Sequence, residues 1–242
     1  MRIKATISYN GNKFYGFQRQ TKIDKTVVQT IEKTLHSLGI TSKIRGSGRT
    51  DRGVHATGQV IDFKLPTFWQ KKSLLELKQR LNQKLKDIKI KHITIVNNDF
   101  HAQYGAKIRI YRYLIKTTRP SVFEQDFVSF YQIKKPKVLQ EALSLYVGAH
   151  NFKNFKKEGS PTTNDIREVY KVKLKRVKNY YAIYFYANGY LRSQVRMMVE
   201  GALKVESEKL SISELKEQLY GSKKYFTTLA QPQGLYLNRV IY

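Results

Sequence analysis

Thr41-Ser42-Lys43-Ile44-Arg45 and Gly58-Gln59-Val60-Ile61-Asp62-Phe63-Lys64-Leu65 read as extended segments, and between them runs Gly46-Ser47-Gly48-Arg49-Thr50-Asp51-Arg52-Gly53-Val54-His55. Glycines here supply turn geometry and let another backbone or a ligand approach closely. Outward from this pair, residues 2–9 alternate as a strand. Thr26-Val27-Val28-Gln29 reads as a capping box, with Val27, Val28, Ile31, Leu35 and Leu38 on one helical face and Gly39 as the stop. Ser73-Leu74-Leu75-Glu76 opens a second helix that buries Leu74, Leu77, Leu81 and Leu85, and residues 88–96 form a further strand. The order β-α-β-β-α-β is that of a split βαβ, or ferredoxin-like, unit.

From Ile108 the order begins again. Residues 108–116 read as a strand and 137–148 as a helix with Val138, Leu139, Ala142, Leu145 and Tyr146 inward. Residues 166–178 and 180–187 read as a hairpin turned at Lys178-Asn179. Leu191 to Val205 and Ser211 to Tyr220 follow as helices, the latter with its own capping box (Ser211, Glu214), and Gly234 to Tyr242 as a closing strand. The expected fold is therefore α+β: two ferredoxin-like halves, 1–105 and 106–242, with largely antiparallel sheets and a central active-site cleft. The repeat is one of element order only.

The chain carries a formal net charge of +27 over 242 residues, with a pI near 10.1. Such a surplus favours a polyanionic partner, because counterions released from phosphates drive binding. Hydrophobic residues at 41% supply a real core. The absence of cysteine excludes disulfides, thiolate metal sites and cysteine nucleophiles. The start, Met1-Arg2-Ile3-Lys4, has no signal-peptide pattern and no apolar run reaches membrane-spanning length, so a soluble cytoplasmic protein without a membrane partner is expected. Seventeen tyrosines and twelve phenylalanines interleave with lysine and arginine, as in Tyr111-Arg112-Tyr113, which suits unstacked bases. Many of these rings belong to the core. Lys171, Lys173 and Lys175 alternate with Val172 and Leu174, giving a cationic row that is either a solvated sheet face or an RNA track.

Asp51, between Arg49 and Arg52, is the leading candidate for chemistry. A carboxylate beside guanidinium groups stays ionised and can act as nucleophile or base; the competing reading is a turn residue or ion pair. Of the five histidines, His55 either orients that loop or contacts RNA. No histidine pair has the spacing of a helical zinc site, and there is no P-loop, dinucleotide-binding glycine pattern or nucleophile elbow. The expected chemistry uses neither metal nor cofactor.

Gly48-Arg49-Thr50-Asp51, Gly53-Val54-His55-Ala56 and Gly58-Gln59-Val60 together resemble the active-site signature of the tRNA pseudouridine synthase A family. Tyr9-Asn10-Gly11 with Tyr15 to Gln20 resembles its amino-terminal motif. Leu81-Asn82, Asp87-Ile88 and Asp99-Phe100-His101-Ala102 match further segments. Ile110 to Leu114 resembles the strand of the active-site tyrosine, Asn188 to Val199 the late active-site helix, and Gly234-Leu235-Tyr236-Leu237 the closing strand.

The resemblance implies an isomerase that converts uridine to pseudouridine in the tRNA anticodon stem-loop, at positions 38, 39 and 40, as a homodimer and without a cofactor. It implies that Asp51 attacks C1′ or takes the C2′ proton, and that Arg196 pairs with Asp51. Tyr111 would stack on the base and help move the C5 proton, Arg49 would fill the space of the flipped nucleotide, and Leu235 would pack beside the base. His55 and Gln59 belong to the same signature and are assigned to substrate binding. Arg52 stands where a small residue is usual, His150-Asn151-Phe152 replaces an Asp-Phe pair, and Tyr225 to Leu229 lacks the expected arginine, alanine and glycine. A paralogue acting on ribosomal RNA is the alternative. A non-catalytic RNA-binding protein would have no need of Asp51, Tyr111 and Arg196, and a ribonuclease would shorten its RNA.

Overall fold

Ile3, Ala5, Ile7 and Tyr9 are buried while Lys4, Thr6 and Ser8 are half-buried, the period-two signature of a strand with one face on a core. In the computed structural model, which describes residues 1–159 and 164–242, this strand (β1, Arg2–Tyr9) is central to a first packing unit made of Met1–Lys107 and Tyr236–Tyr242. Strand β1 lies antiparallel to β3 (His55–Lys64) on one side and to β4 (Ile88–Val96) on the other; the short β2 (Arg45–Gly46) pairs antiparallel with β3. This is the split βαβ pairing.

Helix α1 (Val27–His36) begins where the Thr26 side chain accepts the Gln29 N–H, and it buries Val27, Val28, Ile31 and Leu35. Gly39, with φ +75°, follows its end. A one-turn helix, α2 (Thr67–Gln70), has no forewarning in the pattern; within it Trp69 is buried and donates Nε1–H to Leu38 O at 2.9 Å. Helix α3 (Leu74–Lys84) buries Leu77 and Leu81, with Leu85 behind it, while Leu74 is only half-buried. Its Ser73 cap accepts from Leu75 N–H rather than from Glu76. A further strand, Leu235–Ile241, runs parallel to the start of β3, with Tyr236 opposite His55 and Leu237 opposite Ala56. Gly58 permits this approach: a Cβ there would stand 2.2 Å from Asn238 O.

The second unit, Ile108–Leu235, is built on β5 (Ile108–Lys116), β7 (Gly148–Asn151), β8 (Ile166–Val177) and β9 (Tyr180–Ala187), in the antiparallel order β5-β9-β8-β7, with β6 (Ser129–Phe130) parallel to β5. The turn of the β8–β9 hairpin uses Lys178 at φ +54°. Helix α4 (Pro136–Ser144) ends earlier than the pattern suggests, because Gly148, at φ +116°, already belongs to β7. Leu139, Ala142, Leu143 and Tyr146 are its buried set; Val138 and Leu145 are half-buried. Helix α5 (Gln194–Glu206) is buried along most of its length, and α6 (Ile212–Tyr220) carries the full Ser211–Glu214 capping box. No helix of the described residues is long and apolar enough to cross a membrane.

Candidate active site

The loop between β2 and β3 is tied down from beneath by side chains of its own strand. Gln59, fully buried, accepts the Ser47 hydroxyl at 2.6 Å through Oε1 and donates Nε2–H to Gly48 O at 2.8 Å. Ser47 N–H donates to Val60 O at 2.8 Å. Next to Asp51, the Thr50 hydroxyl shares a 2.8 Å hydrogen bond with the buried Tyr9 hydroxyl, and Thr50 O accepts the Phe17 N–H at 3.0 Å. The Val54 N–H closes back on Asp51 O at 3.2 Å, with Gly53 at φ +79° in the turn. Three chain segments, around Tyr9, Phe17 and Gln59, thereby fix the backbone on which Asp51 sits half-exposed.

His55 is 1% exposed. Its Nδ1 accepts the Gly11 N–H at 3.0 Å, and its ring stacks on Tyr236 at 4.8 Å. Of the two roles open to it from sequence, this burial fits loop orientation; Gln59 is likewise buried beneath the loop, bonded to Ser47 and Gly48. Arg49 and Arg52 are exposed, and the Arg52 guanidinium lies 4.5 Å from the Tyr15 ring centroid.

Behind β3, the fully buried Asp62 receives Arg2, Arg45 (Nε at 3.0 Å) and the Ala102 N–H (2.8 Å). Arg45 also donates to Phe100 O at 2.8 Å. A buried carboxylate satisfied by two guanidinium groups holds the 97–102 segment against the sheet that bears the Asp51 loop. Nothing in the local sequence spacing reveals it, since Arg2 and Asp62 meet only through the β1–β3 pairing.

In the second unit Tyr111 is buried on β5, edge-on to Tyr190 at 5.1 Å and 86°. The Tyr190 hydroxyl is buried without a hydrogen-bond partner among the described residues, and burial holds its pKa well above that of a free phenol. Arg196, on the first turns of α5, donates Nε–H to Ala230 O at 2.7 Å while Ala230 N–H donates back to Arg196 O at 3.2 Å. Leu235 follows Gly234, where a Cβ would fall 2.5 Å from Ser129 Oγ and 2.8 Å from Leu114 O. The buried Tyr113 donates to Ser129 Oγ at 2.8 Å or Gln231 O at 2.9 Å in the same place. Ser193, immediately before α5, takes a left-handed conformation at φ +60°.

The model of the family described as tRNA pseudouridine synthase matches residues 5–105 and 142–242. The chain belongs to the tRNA pseudouridine synthase family. It is 41% identical over 243 residues to a tRNA pseudouridine synthase A of Helicobacter hepaticus, covering 99% of this chain and 98% of that one. Identity is 38% to the Wolinella succinogenes enzyme of the same name (98% and 92% covered) and 36% to that of Streptococcus pyogenes serotype M49 (100% and 99% covered). Pseudouridine synthases isomerise, so this chain is an isomerase whose fold is the mixed α/β arrangement described above. In this pseudouridine synthase pattern reading places Tyr9, Thr50 and Tyr190 in motifs without revealing their surroundings, and it gives Asp62 no part at all. Tyr9, Thr50 and Asp62 meet partners remote in sequence, and the Tyr190 hydroxyl meets none among the described residues.

Proposed function

We propose that this chain converts uridine to pseudouridine in tRNA, at positions 38, 39 and 40 of the anticodon arm, with Asp51 as the catalytic carboxylate. The observation that carries the reading is the end-to-end 41% identity to an enzyme named tRNA pseudouridine synthase A, joined to a carboxylate held half-exposed on a loop fixed from three sides. The N1–C1′ bond breaks, the uracil turns, and C5 bonds to C1′. N1 ends protonated and C5 gives up its proton, so nothing is consumed. Asp51 either attacks C1′ or removes the C2′ proton toward a glycal; deuterium at C2′ separates the two through a primary isotope effect.

The other roles follow the resemblance. Tyr111 stacks on the uracil and moves the C5 proton, Leu235 packs beside the base, Arg49 takes the flipped nucleotide's place in the stack, and Arg196 keeps Asp51 anionic. Asp51 belongs to the first unit and Tyr111, Arg196 and Leu235 to the second. We include in this reading a cytoplasmic homodimer, which doubles the basic surface offered to one tRNA.

Carbodiimide mapping of pseudouridine in total RNA, with and without this gene, tests the substrate. Loss of signal at anticodon-arm positions 38–40 is expected. Loss confined to ribosomal RNA would keep the chemistry and reassign the target, and no loss anywhere would overturn the reading.

A further inference from the structure

In the second unit, Arg109, Ala187 and Val169 stand abreast on β5, β9 and β8. Tyr111 lies two residues beyond Arg109 and Arg167 two residues before Val169, so strand alternation puts all three functional side chains on one face. Ala187 and Val169 are fully buried between them. Beyond that row the two guanidinium groups converge on Gly189: a Cβ there would stand 3.7 Å from Arg167 Nε and 4.0 Å from Arg109 Nη1.

Backbone carbonyls fix both arginines. Arg109 Nη1 donates to Asn188 O at 2.7 Å, and Arg167 Nη1 donates to Asn164 O at 2.9 Å and Ile166 O at 2.6 Å. Among the described residues no carboxylate lies within ion-pair distance of Arg167; the neighbouring Asp165 is held by Lys156 at 2.5 Å. Burial weakens Arg167's hold on its proton; Asp165 opposes this and Arg109 adds to it. Tyr190 follows Gly189 in the chain and feels the Arg109 charge; its buried hydroxyl, kept protonated by burial, has no acceptor among the described residues. Arg167, crowded by Arg109 and without a carboxylate at ion-pair distance among the described residues, and the orphan Tyr190 donor would both gain from an anion.

We propose that Arg109, Arg167 and the Tyr190 hydroxyl form a binding site for one phosphodiester group of the RNA, next to the nucleotide whose base meets Tyr111. The site rests on the function proposed above and adds the group by which the target nucleotide is gripped. Arg109 and Tyr111 are two residues apart on one strand, roughly 7 Å, so a phosphate held by the arginine keeps its nucleotide within reach of the ring. Guanidinium forks suit phosphate oxygens, and a phenol donor adds a third contact.

The test measures tRNA affinity against salt concentration for the parent, Arg167→Ala, Tyr190→Phe and Lys209→Ala, the last removing one exposed charge at the far end of α5. Arg167→Ala is expected to bind about tenfold more weakly and to lose about one unit of the log–log salt slope. Tyr190→Phe is expected to bind several-fold more weakly with an unchanged or higher melting temperature, because its hydroxyl leaves no protein partner behind. Lys209→Ala should match the parent. Parental affinity and slope in a folded Arg167→Ala protein, or equal losses in Lys209→Ala, would overturn the site. A destabilised but fully binding Tyr190→Phe would remove the phenol from it. Because the readout is binding, it stands apart from whether the parent isomerises the anticodon arm.

Discussion

The Gly11 amide donates to His55 Nδ1 at 3.0 Å, so the turn after β1 and the loop bearing Asp51 share one buried hydrogen bond. The two backbones are nearly in contact there, since a Cβ on Gly11 would stand 2.1 Å from Val54 O. The Asp51 loop is thus seated on a strand end rather than hung from its own hairpin.

Replacing His55 by alanine strands the Gly11 N–H and removes the stack on Tyr236. We expect a loss of about 2–4 kcal/mol in stability, with turnover falling more than tRNA affinity because the Asp51 backbone shifts. Urea unfolding together with single-turnover assays checks this. Parental stability would show that the bond is dispensable.

Asp51→Asn keeps the size and much of the hydrogen bonding of the side chain while removing its charge. Binding of tRNA should stay within about threefold of the parent, and turnover should fall by at least ~10³-fold, as when a nucleophile or base is lost. Filter binding and pseudouridine mapping on the same preparation decide it. Equal activity in variant and parent would sink the mechanism.

Tyr111→Phe preserves the edge-on contact with Tyr190 and deletes only the hydroxyl. If that hydroxyl moves the C5 proton, turnover drops by ~10²–10⁴-fold while affinity holds. Tyr111→Ala, which also removes the stacking surface, should weaken both. A phenylalanine variant as fast as the parent would confine Tyr111 to stacking.

Glu124 is gripped by Lys116 (2.7 Å), by the Tyr180 hydroxyl and by Ser121 through its N–H (3.0 Å) and Oγ (2.7 Å). These contacts, Lys116 foremost, hold its carboxyl far below the usual value of 4.5. A folded pKa below the unfolded one contributes stability above the unfolded value and loses it as pH falls through the folded value. Glu124→Gln should therefore lower the melting temperature at pH 7 and differ progressively less from the parent below about pH 4.5. Lys116, raised by the same contact, loses its share only in strong alkali. A melting difference that is constant with pH would show the ion pair to be idle.

Much of the fold could be read along the chain because it rests on local chemistry. The Ser211–Glu214 box closes reciprocally and Thr26 accepts from Gln29 as its spacing implies. The 41–46 segment shows where local reading stops. Only Arg45–Gly46 joins the ladder, because the Ile44 N–H goes to the Glu32 side chain at 3.0 Å and the Ser42 hydroxyl takes the Lys64 N–H at 2.9 Å. The Asp51 motif is visible as residues in a row, but what fixes it is not. Tyr9 reaches Thr50, and Arg2 reaches Asp62, only after β1 and β3 have paired. The Tyr190 hydroxyl is noticed only once every nearby acceptor has a position.

The pairing of Tyr236 with His55 has a temporal meaning during synthesis. Residues 1–107 leave the ribosome with the Asp51 loop but without the strand that flanks its base, and the whole of Ile108–Leu235 must be translated before that strand arrives. A nascent chain halted before Leu235 carries Asp51 and the bonds that hold its loop, but its His55 ring still lacks Tyr236 to stack on.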